Sequence, residues 1–407
     1  MRDTGPSLAI RGATLLLPDA LEPADLVIAD GLIQSVGEGG ADVEIDGRDL
    51  LLAPALIDIH GDAFERQVMP RPGVFPPLDV ALIDTDRQLA ANGIATAYHA
   101  LTLSWEPGLR SVDRGAEILR ALARLAPRLL VENRVQLRWE TFAFEAEDLI
   151  AEALAGPLTP AIAFNDHTSM TMRAFGVSIQ DRPFELSPDF SVAALDDDRI
   201  LARLTKKAER ADLSDDAYRT LLGRIWDRRD DVDAAIRRVA ALGRAAGAPM
   251  LSHDDTRAET RAHDRSVGAR IAEFPMSIEP ARAARAAGDA IVFGAPNAMR
   301  GGSHLGSLGA GDMVEAGLCD ALASDYFYPA MHAALARLDA ERRAPRPELW
   351  SLVSSGPAAA LGLADRGRIA PGLRADLVLL DWPDGGAPVI HATWVAGREA
   401  YRGRPRG

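Results

Sequence analysis

Short apolar runs alternate with helical stretches between residues 54 and 367, and this alternation constrains the fold more than any other feature. Apolar residues at helical spacing follow the runs, for example in 78–93 and 114–129. Strands that alternate with helices along a chain indicate a parallel sheet covered by helices. We count eight strands and expect them to end near His60, Ala100, Glu140, His167, His253, Phe274, Gly294 and Asp325. Eight such strands favour a closed (β/α)8 barrel of the TIM type over an open sheet.

The two ends of the chain have the pattern of β structure. Residues 8–52 contain short apolar runs separated by turn residues, and a similar pattern returns near the carboxyl terminus. The pair Asp30-Gly31 between two apolar runs is typical of a β-hairpin. We expect residues 1–53 and 368–407 to join in one small β-sandwich domain beside the barrel. Two independent β flaps are the alternative.

One long interval of the barrel domain, which we place at residues 54–367, lacks strand-like runs. Residues 187–247 instead carry many charges at helical spacing. We expect a helical insertion above the barrel, followed by one barrel helix. Runs of charge on such helices are typical of solvated faces.

The composition limits the partners of the protein. Its formal net charge of −14 disfavours nucleic acid and anionic membranes as partners. A small anionic substrate is compatible with this charge, because a local metal and arginine cluster outweighs a distant acidic surface. The single cysteine, Cys319, excludes a disulfide within the chain and fits a reducing compartment. With no apolar signal core or membrane-spanning run, we expect a cytoplasmic enzyme, and a homo-oligomer is an open possibility.

Potential metal ligands gather at the predicted strand ends. His60 and Asp62 are two residues apart, so their side chains project from the same face of one strand. The other candidate ligands are Glu140, His167, His253 and Asp325, with Glu273, Asp166 and Asp254 as further ligands or supporting residues. The active site of a barrel lies at the carboxyl ends of its strands, so these side chains should meet there. Imidazole and carboxylate ligands suit one or two divalent ions, with Zn²⁺ favoured and Mn²⁺ or Fe²⁺ as alternatives.

Two of these carboxylates have more specific expected roles. Glu140 could bridge two ions, and Asp325 on the last strand could take a proton from the attacking water and return it to the leaving group. Structural explanations exist for single residues: His167 as a helix cap, Glu140 as an ion-pair partner of a nearby arginine, and His253 as a core histidine. Five independent explanations would be needed to account for the whole set.

Two loops are suited to anion binding. The first follows strand one and presents Arg71 between two prolines. The second spans residues 294–313 and offers four polar side chains ahead of a helix: Asn297, Arg300, Ser303 and His304. Backbone N–H groups at a helix N-terminus favour phosphate, and arginine binds it with two parallel hydrogen bonds. We expect these side chains to hold phosphate or carboxylate oxygens, the alternative being a sharp connection without a ligand.

Taken together, the metal-binding His-x-Asp, the last-strand Asp and the tail pattern GLRADLVLLD and VAGR resemble the amidohydrolase superfamily. Within it, the chain is similar to the α-D-ribose 1-methylphosphonate 5-triphosphate diphosphatases. The similarity is carried by HGDAFERQVMPRPGV, LAANGIATAYHAL, FNDHTSM, LSHDD, IAEFP, GAPNAMRGGSH and SDYFYPA. This resemblance implies metal-dependent hydrolysis of a ribose 5-triphosphate in phosphonate catabolism, with release of pyrophosphate and a 5-phosphate.

The chain departs from that family at two places near the expected substrate. It has His60-Gly61-Asp62-Ala63 where members read His-Thr-Asp-Asn, and TSMTMRAF follows His167 where Ser-Pro-Gly-Gln is usual. Our count also places His167 and His253 on strands four and five, whereas many amidohydrolases use five and six. The departures leave the substrate open while keeping the ligand types.

We therefore predict a metal-dependent hydrolase that cleaves a phosphoric anhydride. An amidase or cyclic-amide hydrolase with the same metal centre is the first alternative, because activated water attacks carbonyl carbon as readily as phosphorus. A catalytically silent barrel, retained as a subunit of a larger assembly, is the second and predicts no bound metal.

Overall fold

The structure is a computed structural model that describes residues 6–301 and 309–403. Its strands are β1 Leu8–Leu16, β2 Leu21–Ala29, β3 Leu32–Val36, β4 Val43–Asp46, β5 Leu51–Pro54, β6 Leu56–Gly61, β7 Ile94–Leu103, β8 Glu132–Glu140, β9 Ala161–Asn165, β10 Met250–His253, β11 Ile271–Glu273, β12 Ala290–Gly294, β13 Ala321–Ala323, β14 Leu377–Asp381, β15 Val389–Val395 and β16 Arg398–Arg402. They form two sheets of eight strands each.

The α-helices are α1 Glu65–Val68, α2 Leu78–Ala91, α3 Val112–Leu125, α4 Glu147–Leu154, α5 His167–Met172, α6 Leu201–Arg210, α7 Asp215–Trp226, α8 Val232–Ala246, α9 Ala258–Val267, α10 Ile278–Ala286, α11 Ala295–Arg300, α12 Ala310–Glu315, α13 Ala330–Ala340, α14 Arg346–Ser351 and α15 Ser355–Ala360. Short 3₁₀ helices lie at Gly108–Arg110, Ala126–Arg128, Phe144–Ala146, Asp198–Ile200 and Arg229–Asp231. None of the helices in the described parts of the chain is long and apolar enough to cross a membrane.

Strands β6 to β13 are parallel neighbours in chain order and form the barrel. Seven of the predicted strand ends agree with the structure to within two residues. The second strand, β7, continues to Leu103, because it stays paired with β8 up to Trp139. His253 ends the fifth strand, and His167 follows the fourth at the start of α5. The predicted (β/α)8 architecture is confirmed.

The barrel is closed by contacts between its first and last strands. The Asp325 N–H donates to the His60 carbonyl and the Asp62 N–H donates to the Asp325 carbonyl, each at 2.9 Å. Beneath them, the buried Asp58 carboxylate accepts hydrogen bonds from the backbone N–H and the hydroxyl of Ser324. A Cβ on Gly61 would lie only 2.5 Å from Asp58 Oδ2. Glycine is therefore required at position 61 by the close approach of this carboxylate.

The second sheet combines both ends of the chain, in the order β16-β15-β14-β5-β1-β2-β3, with β4 beside β1. Its two halves are joined by antiparallel pairing of β5 with β14. This pairing confirms a β unit built from both termini and excludes two independent flaps. The exact domain bounds at residues 53 and 368 stay a prediction.

A partly buried ion cluster connects the barrel to the terminal sheet. Glu132, at the start of β8, contacts Arg134, Arg366 and Arg374. Arg374 also lies 2.9 Å from Asp376, directly before β14. Burial alone would raise the pKa of Glu132, but the three guanidinium groups lower it to about 2. The carboxylate thus stays charged and holds the two parts of the molecule together.

The chain between β9 and β10 forms helices α5 to α8 rather than another strand. Helix α8 packs on the barrel through Val232, Ile236 and Val239, while α6 and α7 share a smaller core that contains Leu204 and Tyr218. This arrangement brings α6 over one side of the barrel mouth, where its basic residues contact residues that follow β7 and β9.

Candidate metal centre

Side chains at the carboxyl end of the barrel form three overlapping groups in which potential ligand atoms lie within 4.8 Å of one another. The groups are His60, His253 and Glu273; His167, His253 and Asp254; and His60, Asp62 and Asp325. All come from strand ends or from the one or two residues that follow them. The structure therefore brings together most of the residues that the sequence proposed as ligands, and their role as ligands stays a prediction.

Glu273 lies at the bottom of the centre and is fully buried. One carboxylate oxygen is 3.0 Å from His60 Nδ1 and the other is 2.7 Å from His253 Nδ1. Burial opposes the charged form, but the two imidazoles lower the pKa of Glu273, and the carboxylate in turn raises the pKa of His60. Gln136 Nε2 also donates a hydrogen bond to this carboxylate at 2.7 Å. Glu273 consequently fixes the orientation of both rings.

The second group lies around His253. Its Nε2 is 3.7 Å from Asp254 Oδ2, and the same oxygen is 3.8 Å from His167 Nε2. Glu140 engages His167 through both oxygens, at 2.5 Å from Nδ1 and 3.1 Å from the backbone nitrogen. Asp166 caps α5 by accepting the Ser169 N–H. In this geometry Glu140 orients His167, whereas the sequence suggested a carboxylate that bridges two ions.

The third group places two carboxylates beside one imidazole. Burial raises the pKa of Asp325 to about 6, and the nearby Asp62 adds to the effect. Burial likewise raises the pKa of Glu140 to about 7. Arg138 reaches Asp62 at 3.3 Å and His253 Nε2 at 3.1 Å. Crowded carboxylates of this kind are relieved by a cation, so the donor set fits a divalent metal.

A buried nitrogen supports the same conclusion. His60 Nδ1 is shielded from solvent and has no well-directed hydrogen bond in the structure, although Glu273 is near. A buried ring nitrogen is costly unless it has a hydrogen-bond partner or binds a metal. The side chains present are thus of the types that bind a divalent ion, and their potential ligand atoms lie within 4.8 Å of one another.

Three non-glycine residues of the centre have left-handed backbone conformations. Asp254, Phe274 and Asp325 have φ values of 59°, 54° and 54°. Each such residue costs about 1–3 kcal/mol, and strain of this kind is concentrated at functional sites. The Phe274 ring contacts the His60 ring edge-on, with centroids 5.0 Å apart. These backbone turns aim the side chains that follow β10, β11 and β13 into the mouth.

The residues predicted to hold phosphate do not all lie near the metal centre. Arg71 is exposed, on a turn closed by the Val74 N–H and the Arg71 carbonyl. Arg300 donates to Asn297 Oδ1 at 3.1 Å on α11. A Cβ added to Gly294 would lie within 4 Å of both Asp325 Oδ2 and Asn297 Nδ2, so Asn297 is close to the centre. Ser303 and His304 lie outside the described residues.

Three residues near the centre were not predicted from the sequence to belong to a metal site: Gln136, Arg138 and Lys207. Gln136 and Arg138 precede Glu140 at alternate positions of β8, and all three side chains point into the barrel. The period of two was the signal that could have revealed them. Lys207, on α6, has no such signal, because only tertiary packing brings the insertion over the mouth.

A model of the amidohydrolase family matches residues 170–401, which is more than half of the chain. The chain belongs to the amidohydrolase family. This amidohydrolase is 28% identical over 401 residues to the α-D-ribose 1-methylphosphonate 5-triphosphate diphosphatase of Escherichia coli strain K12, covering 97% of the chain and 100% of that protein. The resemblance drawn from the sequence motifs is confirmed.

Solved structures agree with the fold. An amidohydrolase with 17% identity matches with a TM-score of 0.61 over 98% of this chain and 100% of its own. An adenosine deaminase from Xanthomonas campestris with bound zinc, 13% identical, matches with a TM-score of 0.62 over 96% of this chain and 92% of its own. At these identities the likeness shows the shared barrel architecture.

Proposed function

We propose that this amidohydrolase is a metal-dependent diphosphatase. It hydrolyses the triphosphate of α-D-ribose 1-methylphosphonate 5-triphosphate, or of a closely related phosphorylated sugar, in phosphonate catabolism. The hydrolase part rests on the convergence of imidazoles and carboxylates from six barrel strands. The triphosphate part rests on similarity that extends along the whole of the Escherichia coli diphosphatase.

The residues that would hold metal are His60, Asp62, His167, His253, Asp254 and Asp325, with Glu273 and Glu140 as ligands or as the groups that orient the histidines. When bound, one or two divalent ions, with Zn²⁺ favoured, would polarise a phosphoryl oxygen and lower the pKa of a water molecule. Carboxylates that fix the ring nitrogens of metal-binding histidines strengthen such sites. The contacts of Glu273 and Glu140 have this geometry.

Asp325 is the proposed proton carrier. The oxygen of a water molecule attacks the α-phosphorus, which is bonded to the ribose oxygen. The bond between this phosphorus and the oxygen that bridges it to the β-phosphorus breaks, and the electron pair of that bond leaves with pyrophosphate. Asp325 accepts the proton of the water and passes it to the leaving side or to solvent. Burial and the nearby Asp62 raise the pKa of this carboxylate, which favours its acceptance of a proton.

The chain's cations orient the substrate in this proposal. Arg138, held between Asp62, Asn165 and His253, presents a fixed positive charge at the mouth. Asn297 is close to Asp325 and can donate to a phosphoryl oxygen. Arg71, Arg300, Ser303 and His304 stay predicted phosphate ligands. We also propose a cytoplasmic location. The free, buried thiol of Cys319 fits the reducing conditions of that compartment.

Phosphorus NMR of the metal-loaded protein with α-D-ribose 1-methylphosphonate 5-triphosphate tests the proposal. We expect pyrophosphate and a 5-phosphate from the wild type and at least a hundredfold slower release from Asp325→Asn. Metal content measured on both proteins separates loss of the proton carrier from loss of metal. Hydrolysis of acylated amines or cyclic amides, without release of pyrophosphate, would overturn the phosphate assignment in favour of an amidase.

A further inference from the structure

A small pocket adjoins the metal centre on the side of Glu140 and His167. Its volume is about 110 Å³, which is room for several water molecules or one tetrahedral oxyanion. The end of β7 and the residues that follow it line one wall, and helix α6 of the insertion lines the other. The lining includes Thr102, Ser104, Arg110, Glu140, Lys207 and Arg210.

Two of the three cations in this pocket are already neutralised. Arg110 makes a bidentate ion pair with Glu65, with hydrogen bonds of 2.9 and 2.8 Å. Arg210 donates to Glu106 at 2.5 Å, and Glu106 also accepts the hydroxyl of Tyr218. Each pair cancels one positive charge at short range. These residues shape the pocket but add little net charge to it.

Lys207 differs from both arginines. Its ammonium donates to Thr171 Oγ1 at 2.7 Å, and across residues 6–301 and 309–403 no carboxylate lies within the 4.0 Å of an ion pair. The nearest acidic groups are Glu106 and Glu140, which are bound to Arg210 and His167. An ammonium has three N–H donors, so Lys207 keeps a charge and donors that no carboxylate satisfies.

Two other donors in the pocket have no hydrogen-bond partner in the described parts of the chain. Thr102 is only 3% exposed, and its buried hydroxyl has no hydrogen bond. Arg210 Nε is buried without a partner as well. Buried polar atoms are rarely left unpaired in folded proteins, so two unpaired donors beside a cation without a carboxylate partner indicate that the pocket is built for an acceptor.

We propose that this pocket binds one phosphoryl or phosphonyl group of the substrate, apart from the phosphorus under attack, with Lys207 as its principal cation. The inference rests on the proposed function and assigns a part of the substrate to the helical insertion. A tetrahedral oxyanion fits the volume, accepts from hydroxyl, ammonium and guanidinium donors, and supplies the charge that Lys207 lacks. It also explains why an insertion helix covers this side of the mouth.

Binding of pyrophosphate and of methylphosphonate to the metal-loaded protein, measured by calorimetry, tests the pocket without turnover. For Lys207→Met we expect the Kd of one of these probes to rise at least tenfold, and the probe affected tells whether the phosphate or the phosphonate end occupies the pocket. Lys207→Arg should restore most of the affinity. Lys206→Met, at the exposed neighbouring position of the same helix, should bind like the wild type.

Turnover gives a second readout. A positioning role predicts that Lys207→Met raises KM for the triphosphate more than it lowers kcat. Thr102→Val, which keeps the shape and removes the unpaired hydroxyl, should weaken binding of the same probe two- to tenfold. It also serves as the test if Lys207→Met does not fold.

The outcomes separate this inference from the proposed function. Unchanged Kd values for both probes in folded Lys207→Met and in Thr102→Val would overturn the oxyanion pocket, even if triphosphate is hydrolysed. Binding that depends on Lys207, with no hydrolysis of the triphosphate, would uphold the pocket and overturn the substrate.

Discussion

Replacement of Glu132 by glutamine tests whether the ion cluster holds the barrel to the terminal sheet. Glu132 is 17% exposed and meets three arginines, of which Arg366 is only 5% exposed. Its pKa is lowered from an ordinary value of 4.5 to about 2. A shift of that size corresponds to about 3 kcal/mol of stability at neutral pH. We therefore expect Glu132→Gln to lower the free energy of unfolding by about 3 kcal/mol at pH 7.

The dependence on pH follows from the same shift. Because the folded-state pKa is lowered, the contribution is complete well above pH 4.5 and is lost as the pH falls towards 2. At pH 3.5 about 1.4 kcal/mol of it should already be lost. The difference between the wild type and Glu132→Gln should thus shrink by roughly half between pH 7 and pH 3.5.

Urea unfolding followed by circular dichroism at pH 7, 5, 4 and 3.5 measures this difference. Glu152→Gln is the matched control, because Glu152 is exposed on α4, and the change should cost less than about 0.5 kcal/mol at every pH. A loss below 0.5 kcal/mol for Glu132→Gln, or a loss that does not vary with pH, would refute the electrostatic account of this junction.

Three further predictions concern the centre and its support. Gly61→Ala should lower the free energy of unfolding, measured in urea, by about 1–3 kcal/mol, because the new Cβ would lie 2.5 Å from Asp58 Oδ2. An unchanged free energy would mean that the contact between the first and last barrel strands adjusts without cost. Glu273→Gln should weaken metal binding about 10- to 100-fold in competition with a chelator, since two imidazoles lose their common anchor, and unchanged affinity would remove Glu273 from the centre. Dialysis against a chelator should lower Tm and abolish turnover, with both restored by Zn²⁺; full activity of metal-free protein would reject the metal centre.

The fold was predictable because its signals are local. Each barrel strand contains an apolar run, most are followed closely by a polar residue, and the sequence alone placed seven of the eight ends to within two residues. The exception, β7, carries on past Ala100 through residues that are apolar or β-branched up to Leu103. Pairing with a long neighbour, rather than any signal within β7, fixes where it stops.

Most residues of the candidate site were predictable from the sequence, whereas the contacts between their side chains were less so. His60, Asp62 and His253 stand at strand ends, where a barrel must bring them together. Which carboxylate contacts which imidazole depends on side-chain directions that no spacing encodes, and for this reason the link from Glu140 to His167 was not anticipated. The position of Lys207 could not be predicted from the sequence, because it depends on how the helical insertion packs against the barrel.

Pairing between distant segments determines the order in which the protein can be completed during synthesis. Strand β5 pairs with β1 but gains its second partner only when Leu377–Leu380 has been made, and His60 and Asp62 meet Asp325 only after β13 has been made. Until then a nascent chain carries an open sheet edge and an incomplete set of ligands. Edges of this kind invite association with other chains. If the proposed metal site is correct, the full set of proposed ligands, including Asp325, is complete only late in the assembly of the molecule.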